Sequence, residues 1–152
     1  VEMLRLDGPE GMLLRLSRAS VVEDGEFSLF PGVERNLSVI TGPGFDLLGE
    51  GLALKARPFV PLAFPGDVAL RAVRVTKPSD DFNVMTARHL QRPEVSVVQK
   101  THLPVGGRLA LYALGPCKVN DENVATGDLL LLTEPAHLSG DGSMIAVRYF
   151  GV

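Results

Sequence analysis

Glycine and proline interrupt this sequence at short intervals, and that spacing is the strongest constraint on its fold. The chain has 16 glycines and 11 prolines, and the longest stretch without either is the fourteen residues from Ser79 to Arg92. Because both residue types disfavour helix interiors, long helices have no place here. One short helix is predicted at Met85 to Arg92, where MTARHLQR is rich in helix formers and ends before Pro93.

Short segments rich in Val, Leu and Ile lie between these breakers. Strands separated by turn residues at such intervals are typical of an all-β sandwich or barrel. The predicted strands are Met12 to Val22, Asn36 to Thr41, Val68 to Val75, Phe82 to Met85, Val95 to Val98, Arg108 to Leu114, Asp128 to Leu132 and Met144 to Phe150.

Two portions of the sequence are alike. RNLSVITGPGF followed by LAFPGDVALRAVRV is similar to RLALYALGPCKV followed by VATGDLLLLTEP and MIAVRYF. Each gives a strand, a Gly-Pro turn, a polar excursion, a Gly-Asp turn and another aliphatic strand, which indicates a duplicated β-unit. The alternative is a chance likeness between two all-β halves. The 152 residues are predicted to form one compact domain, 1–152, with approximate halves 1–90 and 91–152.

Charge and composition argue against several classes of partner. A net charge of -3 and a pI near 5.6 give no electrostatic basis for binding nucleic acid or an anionic membrane. The longest unbroken aliphatic run, Leu129 to Leu132, is far short of the roughly 20 residues that a membrane helix needs. The single cysteine, Cys117, cannot form an internal disulfide, and no charged-then-apolar leader opens the sequence. A soluble, cytoplasmic protein is therefore expected.

Alternation along three predicted strands places polar side chains on faces that are otherwise apolar or small. A guanidinium offers paired donors that match a carboxylate, and a low-dielectric interior strengthens that contact. A barrel with such an interior suits a small anionic ligand. The three sets that share a face are Arg15 and Ser17 with Leu13 and Ala19, Arg35 with Leu37 and Val39, and Asp81 with Asn83 and Met85.

A plainer interpretation stays open at this point. Arg15 and Arg35 are then solvated, or paired with acidic residues, and the phenylalanines near them are core residues or loop anchors. The acidic candidates are Glu34, Asp24 and Asp81, and the phenylalanines are Phe27, Phe30 and Phe64.

Metal and cofactor chemistry has little support in the sequence. The three histidines, His89, His102 and His137, are widely separated, with no His-x-His and no clustered carboxylate to complete a metal site. No Gly-x-Ser-x-Gly elbow occurs, and Cys117 has no histidine nearby in sequence. The glycines of TGPGFDLLGEG lack the strand-to-helix context of a phosphate-binding loop. We therefore expect no metal and no cofactor.

Several motifs resemble the HutD/Ves family of bacterial bicupins. They are LLRLSRASVVEDGEFSLFPGVERNLSVITGPGFDL, PLAFPGDVALRAVRV and DFNVMTAR, in that order, from about Leu13 to Arg88. Beyond Arg88 only the strand pattern and TGDLLLL support the likeness. The resemblance implies an all-β bicupin, with two cupin-like antiparallel barrel or jelly-roll halves in one chain. It also implies a cytoplasmic protein that regulates histidine utilisation, where a pathway intermediate such as urocanate or a formylated glutamate is the expected ligand.

The family motifs fall on identifiable residues of this chain. The Arg-Leu-Ser motif falls on Arg15 to Ser17, the Phe-Ser-x-Phe-Pro-Gly-x-Glu/Asp-Arg motif on Phe27 to Arg35, the Ala-Phe-Pro-Gly-Asp turn on Ala63 to Asp67, and the Asp-x-Asn-Val-Met motif on Asp81 to Met85. One departure concerns a Trp-Lys-Asn-Gly-Gly-Gly segment that family members usually carry ahead of the arginine strand. This sequence contains no Trp and passes from MLRLDGPEG directly into LLRLS.

Three functions are compatible with these motifs. The favoured one is a non-enzymatic bicupin that binds a small anionic molecule. The second is a metal-independent cupin enzyme, an isomerase or hydrolase, with Asp81 or Glu34 as general base. The third is a protein-interaction module with a filled interior; a homodimer is compatible with any of them. In the favoured hypothesis Arg15 and Arg35 neutralise a carboxylate, Ser17 and Asn83 orient it by hydrogen bonds, and Phe30, Phe64 and Met85 wall the pocket.

Overall fold

The computed structural model describes all 152 residues and contains only strands, turns and loops. It has seventeen strands and no helix, and therefore no helix that is long and apolar enough to cross a membrane. The chain divides into two compact units, Val1–Leu90 and Gln91–Val152.

The first unit contains nine strands in two antiparallel sheets. Its strands are β1 (Glu2–Gly8), β2 (Gly11–Val21), β3 (Gly25–Glu26), β4 (Val33–Thr41), β5 (Phe45–Gly49), β6 (Leu52–Ala56), β7 (Leu62–Pro65), β8 (Arg71–Val73) and β9 (Ser79–Ala87). The five-stranded sheet has the order β1-β2-β9-β4-β7, and the four-stranded sheet has the order β3-β8-β5-β6.

Apolar side chains from both sheets of this unit form its core. Leu37 and Val39 of β4 are in one buried cluster with Phe45 and Leu47 of β5. Each of these four side chains is at most 1% exposed. The face of the five-stranded sheet that carries Leu37 and Val39 is therefore the inner face, which packs against the second sheet.

The second unit contains eight strands, again in two antiparallel sheets. The strands are β10 (Glu94–Val98), β11 (His102–Leu103), β12 (Arg108–Ala113), β13 (Cys117–Val119), β14 (Glu122–Val124), β15 (Leu129–Leu132), β16 (Ala136–Ser139) and β17 (Met144–Tyr149). The sheet orders are β10-β17-β12-β15 and β11-β16-β13-β14. A separate buried core includes Leu111, Leu138 and Met144.

The two units repeat one strand order. Adding eight to each strand number in the orders β2-β9-β4-β7 and β3-β8-β5-β6 gives the two sheet orders of the second unit. The strand before the Gly-Pro turn, β4 or β12, is equivalent in the two units, as the sequence comparison predicts. The Gly-Asp turns are not equivalent, because Gly66-Asp67 follows β7 whereas Gly127-Asp128 precedes β15.

The predicted all-β fold is confirmed, and the predicted helix at Met85 to Arg92 is wrong. Met85 and Ala87 belong to β9, which pairs with β2 on one side and β4 on the other. The chain then turns at residues 88–90 and is irregular up to the start of β10. The helix propensity of these residues is outweighed because, as a central strand, they form backbone hydrogen bonds with two neighbouring strands. The β5–β6 hairpin was not predicted either, because its glycines indicate only turns.

Candidate ligand-binding site

The inner face of the five-stranded sheet brings the two predicted arginines into one cross-strand row. Met85 of β9 pairs with Arg15 of β2 on one side and with Arg35 of β4 on the other. Arg35 in turn pairs with Phe64 of β7. Residues directly opposite each other in adjacent strands point to the same face, so these four side chains project together toward the second sheet.

Two further rows follow on the same face. Asn83 of β9 lies between Ser17 and Leu37, and Asp81 lies between Ala19 and Val39. Ser17, Asn83 and Asp81 are all buried, with Asp81 only 1% exposed. The polar groups that the alternation predicted for three separate strands therefore form one buried array.

A cavity of about 440 Å³ opens above this array. The seventh predicted site residue, Phe64, is not among the lining residues but contacts the guanidinium of Arg35. Those predicted site residues that line the cavity are Arg15, Ser17, Phe30, Arg35, Asn83 and Met85. Their role in binding a ligand stays a prediction.

Arg35 is a buried cation enclosed by aromatic rings. Its residue is 8% exposed, and Cζ lies 5.3 Å from the ring centre of Phe27, 5.2 Å from that of Phe30 and 5.1 Å from that of Phe64. Such contacts stabilise a guanidinium by cation–π attraction. They supply no hydrogen-bond acceptors, however, and the guanidinium has five N–H donors to satisfy.

Few of the N–H donors of Arg35 have a hydrogen-bond partner within the protein. Nη2 donates to Oδ1 of Asn83 over 3.2 Å, while the buried Nε has no partner. The pKa of Arg35 is lowered to about 10, mainly because the guanidinium is buried; the negative charge of Asp81 opposes this shift and the positive charge of Arg15 adds to it. The guanidinium is still charged at neutral pH, so Arg35 is a buried cation that neither water nor hydrogen-bond acceptors solvate fully.

Asn83 connects this cation to a buried carboxyl group. Its Oδ1 accepts from Arg35 and its Nδ2 donates to Oδ1 of Asp81. Burial raises the pKa of Asp81 to about 6, with a further contribution from the negative charge of Asp80, against the lowering effects of Asn83 and Arg35. The cavity therefore presents an arginine and a carboxyl group that titrates close to neutral pH.

Arg15 is less buried and has a different acidic partner from those considered in the sequence analysis. Its side chain is 27% exposed, its Nε donates to Oε1 of Glu2 over 2.9 Å, and its Nη1 lies 4.0 Å from Sδ of Met85. Glu2 stands on the edge strand β1, where sequence periodicity gave no indication of a site. The pair holds the guanidinium at the rim of the cavity.

The Phe30-Pro31-Gly32 turn is positioned by backbone hydrogen bonds to a second glycine turn. Phe30 N donates to Gly66 O and Gly66 N donates to Val33 O, each over 2.7 Å. A β-carbon on Gly66 would lie 2.7 Å from Val33 O and 2.8 Å from Phe30 O, so only glycine allows this approach. The two turns together place the Phe30 ring over Arg35.

Arg88 braces the same turns from outside the cavity. Its Nη1 and Nη2 each donate to Asp67 over 2.8 Å, and its Nε donates to Glu34 over 2.8 Å. Glu34 therefore pairs with Arg88 rather than with Arg35, and it does not line the cavity. The hypothesis that Glu34 acts as a general base is not supported by this position, because adjacent strand residues point to opposite faces.

A second cavity of about 580 Å³ adjoins the first. Arg15 and Phe30 line both cavities, so they stand at the boundary between them. The second cavity has a largely apolar lining that includes Met12, Leu13 and Val33, with Arg5, Glu10 and His89 as its other charged or titratable groups.

Phe27 and Glu2 were not predicted as site residues, and Asp81 was predicted as a possible partner of the arginines or as the general base of the alternative enzyme. Phe27 encloses Arg35 and also packs on Phe45 and Phe64, with ring centres 5.9 and 6.5 Å apart. Its place in the FSLFPG motif was the available signal. No sequence signal could reveal Glu2, because its pairing with Arg15 depends on the register of β1 against β2.

The histidines lie apart from the arginine cavity, and no group of three or more His, Cys, Asp or Glu side chains is placed to hold a metal ion. His89 lines the second cavity. His102 and His137 form a cross-strand pair in the second unit, with their Nδ1 atoms 3.3 Å apart. Their separation of 35 residues hid this pair from the sequence analysis.

Comparison with solved structures defines the class of protein. A cupin 2 conserved barrel domain protein from Leptotrichia buccalis has a TM-score of 0.60 at 12% identity, covering 98% of this chain and 88% of its own. YhaK from Escherichia coli has a TM-score of 0.65 at 12% identity, covering 99% and 92%. At these identities the likeness concerns the fold alone. With its two repeated double-sheet units, the chain is a cupin-like all-β protein that has a buried arginine at a polar cavity.

A narrower assignment follows from the family comparison. The HutD family model matches residues 2–146, and HutD from Pseudomonas fluorescens SBW25 has a TM-score of 0.85 at 26% identity, covering 99% of this chain and 88% of its own. A conserved protein of unknown function from Pseudomonas aeruginosa PAO1 has a TM-score of 0.83, with the same identity and coverage. This chain belongs to the HutD family, which confirms the resemblance found in its motifs.

Proposed function

We propose that this protein binds a small carboxylate in the cavity above Arg35 and acts as a non-enzymatic sensor. The observation that carries the proposal is the state of Arg35, a buried cation that is enclosed by three aromatic rings and has a single hydrogen bond to Asn83. A carboxylate entering the cavity supplies both the acceptors and the negative charge that this guanidinium lacks.

The surrounding side chains suit the same ligand. Arg15 lies across Met85 from Arg35 and adds a second positive charge at the cavity rim. The hydroxyl of Ser17 faces the cavity without a hydrogen bond that would occupy it, and Asn83 offers a buried amide. A cavity of about 440 Å³ has the volume typical of sites for small metabolites.

Family membership supports a role in histidine utilisation. A regulator of that pathway senses the level of an intermediate, and the candidate ligands are urocanate and formylated or formiminated glutamate, all of which carry a carboxylate. We propose that the protein performs this role in the cytoplasm, where such intermediates arise. Binding, and not turnover, then conveys the signal to the pathway.

Thermal unfolding in the presence of candidate ligands tests the proposal. Urocanate, formiminoglutamate, formylglutamate, histidine and glutamate are each added at millimolar concentration. A ligand at about 100 times its dissociation constant stabilises the folded state by about 2.7 kcal/mol, which raises the melting temperature measurably. We expect a selective rise that Arg35→Ala and Arg15→Ala remove.

Arg108→Ala is the matched control for these variants. Arg108 is the exposed first residue of β12, the strand equivalent to β4 in the repeated order. Its removal deletes an arginine from the chain without altering the cavity, so the ligand-induced rise should persist. If no compound raises the melting temperature of the unmodified protein, the sensing function is wrong and an interaction module is favoured.

A metal-independent enzyme is the second candidate, and one observation favours it. Asp81 is buried at the cavity with its pKa raised to about 6 by burial, which is typical of a general base. Turnover of a bound compound that Asp81→Asn abolishes while binding survives would identify an enzyme. Binding of a compound that is recovered unchanged after prolonged incubation supports the sensor.

A further inference from the structure

We infer that the ligand carries an N–H donor in addition to its carboxylate, and that Asp81 accepts a hydrogen bond from this donor while Arg35 binds the carboxylate. This inference rests on the proposed function, since it concerns a ligand of the same cavity. It names a chemical class, the carboxylates substituted with an amide, amidine, ammonium or azole N–H, and it excludes simple carboxylates and dicarboxylates as the preferred ligands.

Asp81 is available to such a donor. It lines the same cavity as Arg35, and the one hydrogen bond that it accepts within the protein runs from Nδ2 of Asn83 to its Oδ1. A carboxylate has two oxygens and about four acceptor positions. Its remaining capacity is therefore open to a group that enters the cavity.

Asn83 sets the orientation of both ends of the site. The amide accepts from Arg35 through its oxygen and donates to Asp81 through its nitrogen. Arg35 lies one row from Asn83 on one side, and Asp81 lies one row away on the other. A ligand that lies along the sheet thus meets a donor-rich end at Arg35 and an acceptor end at Asp81.

The charge of Asp81 discriminates between ligand classes. A purely anionic ligand brings negative charge toward a buried carboxylate, and that repulsion offsets part of its attraction to Arg35. An N–H group instead donates a hydrogen bond to the same carboxylate, and hydrogen bonds to charged groups are stronger than those between neutral groups. A site that contains both groups therefore selects a bifunctional ligand.

The other charged groups near Asp81 do not reverse this argument. None of these groups is a histidine. Hydrogen bonds from Ser20 and Thr41 lower the pKa of Asp80. The charged groups that line the cavity or act on Asp81 are Arg35 from β4, Arg15 and Arg18 from β2, Glu23 and Glu26 from the segment around β3, Asp80 on β9 itself, and the amino group of Val1, which donates to the carbonyl oxygen of Arg18. Burial raises the pKa of the Asp81 carboxyl group to about 6.

The direction of the pH dependence tells the two ligand classes apart. A donor ligand stabilises ionised Asp81 and lowers its pKa in the complex, so affinity falls as pH decreases through 6. A purely anionic ligand raises the pKa of Asp81 and binds more tightly as pH decreases. With a pKa of about 6 in the free protein, the ionised fraction drops about fourfold between pH 7.5 and 5.5, and the affinity of a donor ligand falls by the same factor.

Calorimetric titration with a matched pair of compounds tests the inference. The pair is N-formylglutamate and the ester in which oxygen replaces its N–H, 2-(formyloxy)glutarate. The carboxylates of both stay ionised between pH 5.5 and 7.5. We expect the amide to bind at least tenfold more tightly than the ester at pH 7.5, to lose about fourfold in affinity at pH 5.5, and to bind to Asp81→Asn without this pH dependence.

Each result bears on a separate claim. Equal affinity for amide and ester, or an affinity for the amide that increases as pH falls, overturns the inference and leaves carboxylate sensing intact. Binding of neither compound overturns the inference, and the thermal series then decides the proposed function separately. The comparison of amide with ester uses the unmodified protein, so it holds even if Asp81→Asn does not fold.

Discussion

Asn83 joins Arg35 to Asp81 through the two ends of a single amide group. Its Oδ1 accepts from Nη2 of Arg35 over 3.2 Å, and its Nδ2 donates to Asp81. All three side chains are buried on the inner face of one sheet. Because an isolated buried charge is costly, this bridge explains how a cupin-like core holds an arginine and a carboxyl group before any ligand is bound.

Arg35→Met should remove ligand binding without unfolding the protein. The burial that lowers the pKa of Arg35 to about 10 also opposes the charged form in the folded state. Methionine fills a similar volume among the three rings without the cost of burying a charge, and the only hydrogen bond it gives up is the one of 3.2 Å to Asn83. We expect an unchanged or higher melting temperature in the absence of ligand, and no ligand-induced rise.

Arg35→Ala provides the comparison. It leaves a cavity among three phenylalanine rings and should destabilise the fold by about 2–5 kcal/mol, as large-to-small core substitutions do. A loss of stability for Arg35→Met as large as that for Arg35→Ala would show that the cation itself holds the fold together.

Asn83→Leu should destabilise the fold strongly. Leucine is similar in size but can neither accept from Arg35 nor donate to Asp81, so two buried ionisable groups lose a partner. Each unsatisfied group costs about 1–3 kcal/mol, and more when charged, so denaturant unfolding should show a loss of at least 2 kcal/mol. Ser17→Ala, in the same row, is the control. A cost below about 1 kcal/mol is expected there, because no protein hydrogen bond is lost; similar costs for both variants would refute the bridge.

Acid should break the ion pair between Arg88 and Asp67. Hydrogen bonds from Arg88 lower the pKa of Asp67 from 3.8 to about 2. A group with a depressed folded-state pKa stabilises the protein fully above its unfolded pKa, and this contribution disappears as pH falls through the folded value. Asp67→Asn should therefore lower the melting temperature clearly at pH 7 and much less at pH 2, where Asp67 is about half protonated in the folded protein. An equal effect at both pH values would mean that the charge of Asp67 is irrelevant.

Gly66→Ala should distort the turn that carries Phe30. The added β-carbon would lie 2.7 Å from Val33 O and 2.8 Å from Phe30 O, so the backbone has to shift. We expect a loss of roughly 1–3 kcal/mol in the free energy of unfolding, in line with overpacking elsewhere, together with a weaker ligand response. Gly25→Ala meets no atom within 4 Å and should change the free energy of unfolding by less than about 0.5 kcal/mol. Equal stability of the two variants would contradict the close approach.

The amino-acid sequence by itself determined the fold class, the repeat and the faces of the main strands. The spacing of glycine and proline excluded long helices, and the period of two placed Arg15, Arg35 and Asn83 on faces that the structure shows to be one face. The family assignment also came from local motifs. These features are readable because turn chemistry and side-chain alternation depend on neighbours in sequence.

Only the tertiary structure decided which of these groups meet. The register of β9 between β2 and β4 brings Asn83 to Arg35, and the register of β1 brings Glu2 to Arg15. The same pairing turned the predicted helix at Met85 into a central strand. Strand register is set by contacts between residues far apart in the chain. Local pattern can therefore say which side chains share a face with Arg35, but not that this face points inward or that three phenylalanine rings and an amide surround the guanidinium.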